Sequence, residues 1–415
     1  MSKQNQHKPN VPELRFPEFS GEWEEKKVKE EFKVVSGSTP LRSKREYFDD
    51  NGIPWIKTMD LNNSEINAVS ERISKMALNE LNLKVLPKNT ILIAMYGGFN
   101  QIGRTGLLTF ESTINQAISA LLDIKQKHNS YFFQYYFNHN VNKWRRYAAS
   151  SRKDPNITKK DIESFKIVFP SYNEQKRIGD FFSKLDRQIE LEEKKLALLE
   201  EQKKGYMQKI FSQELRFKDE NGNEYPEWEE KRLGEIAKIT RGLTYKPSDV
   251  RCNGVRVLRS SNIINNKFYM HHDDVFVDDK IVKIPFVNNG DILITAANGS
   301  PRLVGKHALI NKLSNNSVAG GFMYTLKAEN TKFIQTWMYT TEYQRIITKV
   351  QGGNGSIGNL SKKDLETGLI TVPSTEEQVK IGSFFEKIDG IILKNLQKTQ
   401  RMQDMKKSLL QQIYL

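Results

Sequence analysis

The side chains with chemistry to offer gather in short loops rich in basic, amide and aromatic residues. Ser36–Arg45 carries Arg42, Lys44 and Arg45 around Thr39-Pro40, and Lys57 follows. Gly97–Arg104 sets Asn100, Gln101 and Arg104 among glycines that let a backbone approach a ligand. Arg145, Arg146, Arg152 and Lys153 come after an aromatic-rich stretch. The second half offers Arg241, Tyr245, Lys246, Arg259, Asn298, Arg302 and Lys306. Arginine can bond guanine with two donors at once, and asparagine or glutamine can do the same to adenine, in the major groove. Lysine more often holds phosphate, adding affinity and salt dependence rather than sequence choice. The pattern points to nucleic-acid binding, with a solvated surface charge as the plain alternative at any single position. Lys159-Lys160 and Lys362-Lys363 recur in both halves and belong to a shared scaffold, at a helix start or on phosphate.

No catalytic constellation accompanies these loops. There is no G-x-x-x-x-G-K-[ST] phosphate loop and no [ND]-P-P-[FY] methyltransferase motif. Gly353-Asn-Gly-Ser-Ile-Gly358 fits G-x-G-x-x-G but follows a predicted helix rather than a strand, so a loop is the better reading. His271-His272 has no further metal ligands at a recognisable spacing, and no metal site is expected. The single cysteine, Cys252, excludes an internal disulfide and fits a reducing compartment. No nucleophile sits with a base, so the chain does not read as an enzyme on its own. The net charge of +14 favours a polyanionic partner. No run of about 18 apolar residues exists to span a membrane. The first residues, 1–12, lack the apolar core of a signal peptide and read as a disordered tail.

The elements that must position the loops occur twice. Ser171–Ser212 and Ser374–Leu415 align without a gap at an offset of 203 residues, each preceded by proline. Glu174-Gln175 matches Glu377-Gln378, and Phe181-Phe182 matches Phe384-Phe385. Glu13-Leu14-Arg15-Phe16 returns as Glu214-Leu215-Arg216-Phe217, directly after the first long helix. The helix that should precede the first copy is the C-terminal one. The chain therefore reads as a two-part ring cut open, with its ends close together. Between these marks lie two mixed α/β regions. Thr90–Ala94, Ile167–Phe169, Asp291–Thr295 and Leu369–Val372 read as buried strands, and Tyr131–Tyr147 and Thr331–Val350 as helical. Framework segments such as Asn156–Ile162 and Asn359–Leu365 match, while the loops between them differ. This is one frame used twice to read two different things.

Each long segment carries a heptad seam. The first holds Phe182, Leu185, Ile189, Leu196 and Leu199; the second holds Phe385, Ile388, Ile392, Met402 and Leu409. Polar interruptions fall at equivalent places, Glu192 with Asn395 and Lys203 with Lys406. Antiparallel pairing is expected to set Glu192 against Lys406 and Asn395 against Lys203. About 40 helical residues at about 1.5 Å each make a rod of about 60 Å. Such a rod could space two readers along DNA, where equivalent groove faces recur about every 34–36 Å.

With these residues in view the chain resembles the specificity (S) subunits of type I restriction–modification systems. The resemblance rests on the doubled EWEEKKV and EWEEKRL openings, SGSTP, GIPWIKTMDLNN, the NITKKDI and NLSKKDL pair, and the doubled P-S-x-x-E-Q-x-x-I-G-x-F-F helix starts. It implies an α+β fold: two duplicated target recognition domains, 13–170 and 214–372, separated by spacer helices at 171–213 and 373–415. The helices would form a pseudo-two-fold antiparallel coiled coil. Each domain would read half of a bipartite site in double-stranded DNA. The helices would set the spacer and dock two methyltransferase subunits, and two restriction subunits would complete a cytoplasmic bacterial or archaeal complex. S-adenosylmethionine, ATP and Mg²⁺ would serve those partners, with no cofactor in this chain. A duplicated DNA-binding scaffold or regulator without methyltransferase partners is the alternative, and an enzyme with an unrecognised site is another.

Overall fold

The computed structural model describes residues 10–98, 100–123, 125–148, 156–351 and 358–414. It divides into two units, Met1–Glu193 with Gln397–Leu415, and Lys194–Leu396. The division falls inside both long helices, so each unit holds one α/β domain and its own part of a helix pair.

In the first unit a five-stranded sheet runs Lys33–Ser36, Ile118–Leu122, Ile91–Ala94, Thr105–Leu108, Glu65–Ile66. Its central strand is buried at every position, as its unbroken apolar run requires. A three-stranded sheet, Arg72–Ile73, Phe48–Ile56, Thr113–Ile114, lies beside it in the chain order. In the second unit a four-stranded sheet runs Ala237–Arg241, Met323–Ala328, Ile292–Thr295, His307–Leu309. A second four-stranded sheet runs Val250–Arg251, Val275–Val277, Val255–Leu258, Ser317–Ala319. Each unit also pairs its opening strand with the strand before its long helix: Glu24–Lys27 with Lys166–Phe169, and Glu229–Arg232 with Leu369–Val372. Gly37 and Gly242 mark the same crossing of backbones in the two units. A Cβ there would stand 1.8 Å from the Ile114 carbonyl oxygen or 2.0 Å from that of Gly320.

Repeated motifs have repeated local causes. Thr158 and Ser361 cap short helices, each accepting from the backbone N–H of an aspartate three residues on, Asp161 or Asp364. Lys159-Lys160 and Lys362-Lys363 therefore occupy a helix's first turn. Gln175 donates to the Pro170 carbonyl and Gln378 to that of Pro373, each at 2.9 Å. Beside them, Arg15 grips the buried Glu174 at 2.7 and 2.8 Å, and Arg216 reaches the buried Glu377 at 2.7 Å. The E-L-R-F and P-S-x-x-E-Q motifs are thus two sides of one joint. That joint also bonds Leu14 N–H to the Gln412 carbonyl and Leu215 N–H to the Lys209 carbonyl, both at 3.0 Å. The first is the expected meeting of the chain's two end regions.

One expectation is refined and one needs correction. The aromatic stretches are helical, each in two pieces: Ser130–His139 and Val141–Ala148 part at Asn140, and Thr331–Trp337 and Thr341–Gln351 part at residues 338–340. Asn140 bonds the Tyr136 carbonyl through both its backbone N–H and its side-chain amide. Thr340 does the same to Trp337 with its N–H and hydroxyl. Such local bonds compete with helix continuation. The long helices, Tyr172–Phe211 and Thr375–Ile413, pair antiparallel within each unit, but in another register. Lys406 pairs with Asp186 and Glu192 with Lys398 in the first unit. In the second, Lys203 meets Asp389 at 2.6 Å, and the Asn395 amide donates to its own helix at the Ile391 carbonyl. Glu192 does not face Lys406, and Asn395 does not face Lys203. The two lysines instead find equivalent aspartates, residues 186 and 389. The apolar seam is graded: Phe182, Leu185, Ile189 and Phe385 are buried, whereas Leu196, Leu199, Ile388, Ile392, Met402 and Leu409 are half-buried.

Candidate nucleic-acid interface

In the first unit the basic loop is tied to the domain's own carboxylates. Both guanidinium arms of Arg42 reach Glu71, at 2.8 and 3.0 Å, and the cation lies 4.9 Å from the Phe48 ring centre and 5.7 Å from that of Trp55. Lys57 reaches the same carboxylate at 2.7 Å. The hydrogen bonds from Arg42 hold the Glu71 carboxyl below its ordinary range, against partial burial, and Lys57 adds to the effect. Lys44 bonds the Tyr47 hydroxyl at 2.8 Å and lies 3.4 Å from Glu80. Arg45 is exposed.

The glycine-rich loop turns at Gly97, whose φ is +115°, with the Gln101 side chain folded against it. Asn100 is exposed, Gln101 half-buried, and Arg104 donates to the Leu61 carbonyl at 3.3 Å. Arg145 is half-buried and Arg146 exposed on the helix Val141–Ala148. Arg152 and Lys153 lie outside the described residues, as does nearly all of Gly353–Gly358.

The second unit brings four candidates to one cleft of about 830 Å³: Arg241, Tyr245, Arg259 and Asn298. Arg241 ends the strand Ala237–Arg241, Arg259 follows the strand Val255–Leu258, and Asn298 ends Ala297–Asn298. The turn Gly320–Met323 completes the wall, closed by a bond from Met323 N–H to the Gly320 carbonyl at 2.8 Å. Its Phe322 is 71% exposed, an apolar ring held out beside cations. Composition could not single out this residue; its place after Gly320-Gly321, at a turn, was the only signal. Asn298 is already engaged, donating to Ser260 at 3.1 Å and accepting from the Ser300 N–H at 2.9 Å. Arg259 is half-buried, and its Nε has no hydrogen-bond partner. Lys246, Arg302 and Lys306 stand outside this cleft; the first two are exposed and the third half-buried.

Among the described residues no group of three or more histidines, cysteines or carboxylates is placed to hold a metal. The His271 ring contacts the Ser261 carbonyl at 3.1 Å. No helix is long and apolar enough to cross a membrane, among the described residues.

The sequence matches the family described as "Type I restriction modification DNA specificity domain" twice, over residues 20–201 and 225–403. The MjaVIII type I restriction enzyme specificity subunit of Methanocaldococcus jannaschii is 23% identical over 417 residues, covering 96% of this chain and 92% of that protein. The MjaIX specificity subunit of the same organism is 28% identical over 232 residues, so that the chain spans about half, 53%, of that relative. A crystal structure of a type I restriction–modification S subunit from M. genitalium superposes with a TM-score of 0.60 at 17% identity, covering 98% of this chain and 99% of that one. That last likeness is one of fold.

Proposed function

Because this chain belongs to the type I restriction modification DNA specificity family, we propose that it is the sequence-reading, non-catalytic subunit of a restriction–modification complex. The domains at 13–170 and 214–372 each read one half of a bipartite site in double-stranded DNA. The helices at 171–213 and 373–415 set the spacer and dock two methyltransferase subunits, and two restriction subunits join them in the cytoplasm. S-adenosylmethionine, ATP and Mg²⁺ serve those partners. The observation that carries this reading is a repeated frame with unlike surfaces. The caps, joints and strand pairs recur position for position, while Arg42 and Lys57 are paired with Glu71 in one unit and Arg241 and Arg259 line an open cleft in the other. A net charge of +14 supports a phosphate-rich partner. Leu191 and Leu198, one heptad apart, are 57% and 58% exposed, which suits a helix that docks a partner.

The test is a domain exchange. Residues 24–170 are replaced by the corresponding domain of another family member, the chimera is co-expressed with its methyltransferase, and methylated adenines are mapped genome-wide. One half of the methylated site should change and the other half persist. A change in both halves would sink the modular reading.

A further inference from the structure

Strand register gives a correspondence between the sheet of Phe48–Ile56 in the first unit and that of Val255–Leu258 in the second. In the first unit Ile53 pairs with Ile73, and Trp55 N–H donates to the Glu71 carbonyl at 3.1 Å. In the second, Val255 pairs with Val277 and Val257 with Val275. Trp55 therefore corresponds to Val257, and Glu71 to Val275. Two residues further along, Lys57 corresponds to Arg259. The positions match, but their charges do not. The carboxylate that binds Arg42 and Lys57 in the first unit is replaced in the second by a valine that lines the cleft. Arg259 keeps a guanidinium whose Nε is buried without a partner, and among the described residues it joins no ion pair.

We propose that Arg259 determines specificity in the second unit by presenting its fork to a guanine edge in the major groove, while Glu71 holds Arg42 and Lys57 away from DNA in the first. The proposal rests on the DNA-reading role given above. A guanidinium already bonded at both arms to a carboxylate has no fork left for a base, and its charge is largely cancelled for phosphate. An unpaired one beside an apolar floor has no counter-ion to lose on binding. The fork geometry selects O6 and N7 of guanine over the other bases. Arg241 on the same cleft supplies a second positive charge.

The experiment uses the full chain in complex with its methyltransferase and a library of DNA sites. Arg259→Gln and Arg259→Lys should both relax preference at one base pair of one half-site, by about 5- to 150-fold. Val275→Glu should relax the same base pair by giving Arg259 a counter-ion. In the first unit Glu71→Gln should steepen the fall of log affinity with log salt by about 0.9 for each cation freed to reach phosphate. Uniform weakening by Arg259→Gln with full rescue by Arg259→Lys would make it a phosphate contact and overturn its reading role. Unchanged preference in both Arg259 variants would overturn it too, and an unchanged salt slope would overturn the role of Glu71. A wild-type complex with no sequence preference would instead remove the DNA-reading role, and this proposal with it.

Discussion

His307 is 2% exposed, with its ring centre 4.9 Å from that of Tyr339 and 5.4 Å from that of Tyr343. Burial pushes its pKa down to about 4, against a weak opposing contact with the Gly305 carbonyl. A histidine that is harder to protonate when folded makes the unfolded chain the better proton acceptor between the two pKa values. The contribution of His307 to stability therefore rises with pH from about 4 to about 6.5 and is level above that window. The expected loss on acidification across it is roughly 3 kcal/mol. Urea unfolding of the full chain at several pH values should show this loss, and His307→Leu should reduce it, leaving the part due to His139, whose pKa burial also lowers. The same dependence in the variant would assign it elsewhere. Residue types alone revealed neither this site nor the state of the loop cations. Arg42 and Lys57 were visible as basic, but their partner Glu71 lies 29 and 14 residues away, and only the strand register brings it to them.

At the scale of elements, the heptads made both long helices legible to within a residue or two, because a periodic apolar stripe has few other uses. Their register was not legible. A lysine's long stem can reach several positions on a facing helix, so pairing polar interruption with polar interruption chose the wrong partners. The observed choice repeats: Lys203 with Asp389, and Lys406 with Asp186, each lysine also lying over a tyrosine ring, Tyr339 at 5.2 Å or Tyr135 at 5.3 Å. Asp186 further accepts from the Tyr135 hydroxyl at 2.7 Å, linking helix to domain. Lys203→Asp would set two carboxylates together, and Asp389→Lys two ammonium groups. Each single change is expected to destabilise, and the double exchange to recover about 0.5–1 kcal/mol of coupling, as for partly exposed pairs. A double-mutant cycle by thermal or urea unfolding measures this; additive effects would mean that the pair does not fix the register.

The whole chain repeats one joint in two ways. Between Lys209 and Leu215 the backbone runs continuously through Gln213, whose φ of +61° makes the turn. Between Gln412 and Leu14 the same backbone bond forms with no peptide chain through it. The repeat in the sequence made this arrangement legible, because an E-L-R-F segment without its preceding helix needs that helix from somewhere else. The domain loops stayed illegible for the opposite reason, since nothing in one copy constrains the loops of the other. If the two joints are equivalent, continuity at either one is optional. A permuted chain can then be opened between Ser212 and Glu214, all exposed there, with Tyr414 connected to Asn10 by a short flexible linker. Opening one loop and closing another of similar length changes the chain entropy little, since the cost of closure grows only with the logarithm of length. The permuted protein should therefore melt within a few degrees of the parent and direct methylation to the same DNA site. Arg15 and Arg216 would still hold Glu174 and Glu377, so the joint would keep its ion pairs whichever backbone passes through it. A permuted chain that folds but methylates a differently spaced site would show that the covalent joint carries alignment the non-covalent one lacks. A chain that fails to fold would show that continuity through the joint at Lys209–Leu215 is needed for folding.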